Sequence, residues 1–161
     1  SEHGPAGGDE INVISLSNVG ALPVPNYGWP LRSWGDHYDG RIIPDTHAPE
    51  FIEPVAFFSY SLVGSHGVGE CLSMNGFYLV ASLNGHKLYT VVLDEHRKVS
   101  HLHAEEMGAR LRSITPLDDC HILILTERTN TNVANTNAGP LIRKNVCGRE
   151  RYYGDPSSMV T

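Results

Sequence analysis

The chain has 161 residues, 40% of them hydrophobic and 19% charged, enough for one domain with a packed core and too apolar for a disordered chain. Twelve basic against eighteen acidic residues leave a formal net charge of −6, so the basic footprint of a nucleic-acid binder is missing. The apolar runs are short, such as Phe77 to Ala81, and fall far below the ~18 residues of a membrane-spanning helix.

The chain opens on Ser1 with no charged-then-apolar leader behind it, and is expected to be processed, trimmed or part of something longer. Short runs rich in Val, Ile, Leu, Tyr and Phe then recur between turn residues, at 10–16, 54–60, 76–83, 86–93, 109–115 and 121–126. Four to eight residues closed by Gly, Asn, Asp or Pro read as β-strands. Asn84-Gly85 predicts a two-residue hairpin, because both residues tolerate positive φ. Leu117-Asp118-Asp119 after Pro116 predicts a second tight turn. The sole helix candidate, 104–107, is too short to hold itself together. The fold class is all-β, in four-stranded antiparallel meanders that suit a sandwich or propeller blades.

Two stretches read as coil. Residues 20–38 carry prolines and both tryptophans, and 129–138 (TNTNVANTNA) is a polar, low-complexity loop. Residues 147–161 show no pattern and form an irregular tail after a main portion at 1–146. Cys71, Cys120 and Cys147 lie far apart with no CxxC spacing, which excludes zinc-ribbon and thioredoxin readings. One disulfide with a spare thiol stays open, and three quiet buried thiols are the plainer expectation. His101 and His103, with Glu105 and Glu106 beyond them, have strand-edge metal spacing but no visible third protein ligand.

The N-terminal stretch is more specific. Residues 2–12 read EHGPAGGDEIN and residues 26–30 read NYGWP. A glycine-rich loop with two adjacent carboxylates offers hard oxygen ligands, better suited to Ca²⁺ than to Zn²⁺; an ordinary acidic loop is the alternative. Taken with YLVASLNGHKLYTVVLD, GARLRSITPLDDCHILILTE and AGPLIRK in the same order, the pair resembles the glucose/sorbosone dehydrogenase family of soluble quinoproteins.

That resemblance implies a six-bladed β-propeller whose blades have four antiparallel strands, with this chain supplying about two to three C-terminal blades. It implies pyrroloquinoline quinone (PQQ) as cofactor, a sugar substrate, and Ca²⁺ that polarises the quinone. By position, the carbonyls of Gly4 and Pro5 would hold the Ca²⁺ touching PQQ. A second Ca²⁺ would sit at Glu10 and Tyr27, with Ser33 and Asp36 as the nearest further candidates. Arg110 and Arg112 match the family's paired arginines and would grip PQQ carboxylates and quinone oxygens. Asn84 stands where the family has a PQQ-contacting Lys; Lys87 lies three residues on. The general base of the family, a His, belongs to its N-terminal half, and none of the nine His here takes that role by motif.

A propeller missing blades cannot bury its blade faces, so a companion chain carrying the N-terminal blades, or a larger assembly, is expected. The enzymatic expectation is the C-terminal part of a PQQ-dependent aldose dehydrogenase. Its rival is a non-catalytic, propeller-derived accessory or scaffold subunit. Relatives imply a secreted or periplasmic setting, with an organellar assembly compatible with a recruited subunit.

Overall fold

The computed structural model describes residues 1–15, 20, 24–58, 64–127 and 138–148. The ends of the strands predicted at 10–16 and 54–60, nearly all of the polar loop at 129–138 and most of the tail lie outside them. The chain divides into two compact units, Ser1–Val68 and Gly69–Thr161.

The first unit has little regular structure. β1 (Asp9–Ile11) pairs antiparallel with β2 (Ala56–Phe58), Glu10 opposite Phe57. Two single bridges, Glu2 to Glu10 and Ala6 to Asp36, fold the N-terminal loop back on the strand and on the segment after NYGWP. Strands of three residues cannot hold a unit alone. Ile11, Ile43 and Phe58 are buried, and the Trp34 indole stacks on Phe57 with centroids 4.0 Å apart.

The second unit is two sheets. β3 (Val68–Met74), β4 (Phe77–Ser82), β5 (Lys87–Leu93) and β6 (Val99–Glu106) form a four-stranded sheet in sequence order. β7 (Arg110–Pro116), β8 (His121–Glu127) and β9 (Ala138–Asn145) form a three-stranded one. All pairings with a described register are antiparallel, as a meander requires. Leu79 and Leu88 of one sheet join Leu111, Ile114, Ile122 and Ile124 of the other in one core. Each such side chain contributes roughly 1.5–3 kcal/mol on burial. A register shift between Leu111 and Ser113 lets Leu111 and Ile114, three apart, both face inward.

Three expectations are corrected. The turn between β4 and β5 is four residues long, 83–86, and its left-handed residue is His86 (φ 55°), not Asn84 or Gly85. Ser82 Oγ accepts the Gly85 N–H at 3.0 Å, and Met107 N–H bonds the His86 carbonyl, so neighbours fix the wider loop. The two-residue turn is Asn75-Gly76, between β3 and β4, with Gly76 at φ 87°. The helix candidate at 104–107 lies in β6 and its end, because Glu105 and Glu106 pair with Leu88 and Lys87. Finally, Cys120 and Cys147 form a disulfide and Cys71 is free and exposed, so the cysteines are not three buried thiols. The bridge ties the β7–β8 turn to the end of β9, where Val146 N–H also bonds the Cys120 carbonyl at 2.8 Å. The predicted turn at 117–119 is present, closed by Leu117 N–H to the His121 carbonyl at 2.8 Å.

Candidate cation and cofactor sites

The glycines of the N-terminal loop are there for close backbone approach. A Cβ at Gly4 would collide with the backbone of Gly7 and Gly8, and one at Gly8 (φ +68°) with that of Trp34 and Gly35. The loop therefore interlocks with the segment following NYGWP, where Ala6 and Asp36 exchange backbone hydrogen bonds of 3.0 and 3.2 Å.

Asp9 holds this loop. Its fully buried carboxylate accepts from Gly4 N (3.2 Å), His66 N (2.7 Å), Val68 N (3.3 Å) and, through both oxygens, from Ser65 Oγ (2.9 Å). A buried carboxylate surrounded by donors is stabilised. Asp9 thus anchors the turn that carries Gly4 and Pro5. Both of these residues are buried, and no described residue donates a hydrogen bond to either carbonyl. Buried carbonyl oxygens without donors are hard ligands that a Ca²⁺ ion fits.

Glu10 points into a different environment. It is 4% exposed, and Asn12 Nδ2 bridges its Oε2 (3.3 Å) to Glu2 Oε2 (2.9 Å). Its Oε1 lies 3.7 Å from Nε2 of His47, whose side chain is fully buried. Burial pushes the Glu10 carboxyl above its usual range; Asn12 and His47 pull it back and Glu2 and Glu53 add to the rise. The other side chains expected around this cation are bonded elsewhere. Tyr27 Oη donates to the Val13 carbonyl (2.9 Å), Ser33 Oγ accepts from Gly35 N (3.1 Å), and Asp36 Oδ1 accepts from Ile43 N (3.3 Å). Among the described residues no three His, Cys, Asp or Glu side chains, including those of His101, His103, Glu105 and Glu106, group to hold a metal.

In the second unit, Arg110 and Arg112 do meet, on one carboxylate. Arg110 Nε donates to Glu127 Oε2 (2.8 Å) and Arg112 Nη2 to Glu127 Oε1 (2.7 Å). The two guanidiniums hold the Glu127 carboxyl below its usual range. Asn84 joins them: its Oδ1 accepts from Arg110 Nη1 at 3.4 Å, a long bond. Lys87 instead pairs with Glu106 (3.1 Å).

Sequence reasoning missed Glu127, Asp9 and His47 as organisers. Glu127 is the register partner of Arg110 across β7 and β8, visible only once that pairing is known. Asp9 was legible as one of two adjacent carboxylates, but nothing in spacing says which of them turns inward. His47 follows no motif at all.

Antiparallel meanders packed sheet on sheet in the second unit are the arrangement of β-propeller blades. The profile of the glucose/sorbosone dehydrogenase family matches residues 1–135, and the chain belongs to that family. It is 49% identical over 45 residues, 28% of its length and 10% of the relative's, to the aldose sugar dehydrogenase YliI of Escherichia coli. With the uncharacterized protein slr1608 of Synechocystis it shares 26% identity over 136 residues, 81% of this chain and 31% of that one. The PQQ-bound aldose sugar dehydrogenase structure from Streptomyces coelicolor superposes with a TM-score of 0.59 at 20% identity, covering 88% of this chain and 38% of that one. The fold is that of β-propeller blades, and the chain spans under half the length of these relatives.

Proposed function

We propose that the chain is the C-terminal portion of a PQQ-dependent sugar dehydrogenase acting on an aldose. The observation that carries this reading is the convergence of Arg110 and Arg112 on a single carboxylate. The same fork geometry suits a carboxylate of PQQ. The aldose dehydrogenase name of the Escherichia coli relative and the PQQ-bound state of the Streptomyces coelicolor protein support it.

PQQ, when bound, supplies a quinone that takes up a hydride from the sugar. The parts this chain would contribute are binding and orientation. Gly4 and Pro5 would offer carbonyls to the Ca²⁺ ion, in a turn kept in shape by Asp9. Arg110 and Arg112 would exchange Glu127 for, or share it with, the cofactor carboxylate, and Asn84 would keep the Arg110 guanidinium oriented. The sugar hydroxyl proton would pass to a His outside this chain, in companion blades. The Cys120–Cys147 disulfide supports a secreted or periplasmic setting, since such bonds persist in oxidising compartments.

One observation favours the accessory-subunit reading: Asn84 brings no positive charge, and Glu127 already occupies both arginines. Titrating PQQ and Ca²⁺ into the native protein and following dye reduction with an aldose separates the two. Micromolar PQQ binding, weakened about ten- to a hundredfold in Arg112→Ala by loss of a roughly 1.5–3 kcal/mol charged contact, is expected of the enzyme. No PQQ binding in that range leaves the accessory reading.

A further inference from the structure

We infer that the imidazole of His47 takes the place of the cation expected between Glu10 and the NYGWP turn, so that this part of the loop is built without calcium. The inference concerns this chain's own residues and holds whether or not PQQ binds.

The location comes first. A Cβ added at Gly28, inside NYGWP, would lie 2.9 Å from Cδ2 of His47 and 3.2 Å from Nε2. The same Nε2 is 3.7 Å from Glu10 Oε1. One edge of the ring is therefore wedged between the two motifs that a shared cation would have to bridge. Glycine at 28 is what admits the ring.

The ring is also held in place. Nδ1 lies 2.6 Å from the Asp45 carbonyl, which can only accept, so Nδ1 carries a hydrogen. The main-chain N–H groups of His47 and Ala48 both donate to Glu53 Oε1 at 3.1 Å, and Glu53 Oε2 stands 3.5 Å from Nδ1. Trp34 stacks alongside, 17° from parallel at 6.3 Å. A Ca²⁺ ion needs six to eight oxygens at about 2.3–2.6 Å. Reaching Glu10 from the NYGWP side would require expelling a buried ring held by Asp45, Glu53 and Trp34.

The chemistry agrees. Nε2 makes no hydrogen bond within the described residues and is shut off from solvent. A buried nitrogen in that state is costly, and the charged group facing it is the Glu10 carboxylate. Glu53 stands on the far side of the ring, so carboxyl groups flank the imidazole on both sides of the position a shared cation would occupy. The side-chain oxygens of Tyr27, Ser33 and Asp36, released from ligand duty, make the internal bonds seen here.

The test counts Ca²⁺ ions bound by the native protein, by calorimetry, in wild type, Glu10→Gln, His47→Ala and the double variant. Wild type and Glu10→Gln are expected to bind the same number. His47→Ala is expected to bind one more, which the double variant loses. Any ion held at Gly4 and Pro5 is common to all four proteins and cancels, so failure here is distinct from failure of the dehydrogenase reading. A wild-type ion that Glu10→Gln abolishes, or no extra ion in His47→Ala, overturns the inference. Should Glu10→Gln not fold, a crystal structure of the native protein grown in Ca²⁺ decides: a bare Glu10–His47 contact supports it, and an ion ligated by Glu10 overturns it.

Discussion

The two units solve one problem in opposite ways. Backbone N–H and C=O groups removed from water must all be paired. In the second unit the pairing is done by ladders, and aliphatic side chains at alternating positions supply the drive for burial. In the first unit, where described strands are three residues long, carboxylates do much of it: Asp9 holds three N–H groups, Glu53 two and Asp36 one. Ladders are generic, and any residue of suitable size and polarity maintains them. Carboxylate anchors are individual, because no neighbour can replace them.

Asp9→Ala is the largest test of that contrast. It strands three backbone donors and the Ser65 hydroxyl, at ~1–3 kcal/mol for each buried donor left unmade, so a loss of roughly 4 kcal/mol is expected. Asp9→Asn, which keeps one acceptor oxygen, should lose about half as much. Hydrogen exchange should show the opening confined to residues 1–68. A loss under ~1 kcal/mol would mean that the first unit, like the second, rests on something more diffuse.

Reduction of Cys120–Cys147 comes next, and acts on the other unit. The two cysteines are 27 residues apart, for which chain-entropy arguments give about 3.5 kcal/mol. All three cysteines lie in the second unit, so denaturant unfolding with and without reductant should shift the protection of 69–148 and spare that of 1–58. Leu111→Ala should cost slightly less, about 3 kcal/mol, for a side chain with no exposure at the shared core. Leu111→Met, near in volume, should cost under ~1.5 kcal/mol, as a generic packing site predicts and an anchor would not.

This contrast also explains what could be read from the sequence. β4, β5, β7 and β8 were legible because burial follows their apolar runs. β6 (VSHLHAEE) was not, because as an edge strand it needs no apolar face: its residues are half-buried or exposed. Of the two Asn-Gly pairs, local chemistry could not say which made the tight turn; the Ser82 and Met107 contacts around 83–86 decide it. The loop motif announced its glycines and carboxylates. That Asp9 turns to backbone donors while Glu10 turns to His47 depends on residues 37 to 59 positions away, beyond reach of any spacing rule.

The smallest effect tests whether the arginine pair belongs with the generic or the individual class. Arg110 and Arg112 depress the Glu127 carboxyl in the folded protein. A depressed carboxyl contributes stability that is present above its unfolded value, near 4.5, and is lost as pH falls through the lower, folded value. Wild type should therefore lose slightly more stability than Glu127→Gln between about pH 5 and pH 3 and match its pH dependence above that window. The pair is solvent-screened, so the difference should not exceed about 1 kcal/mol. Identical acid limbs would show that the three side chains hold one another without stabilising the fold. The convergence of Arg110 and Arg112 on Glu127 would then have no structural purpose of its own, which is the outcome the proposed anion-binding role requires.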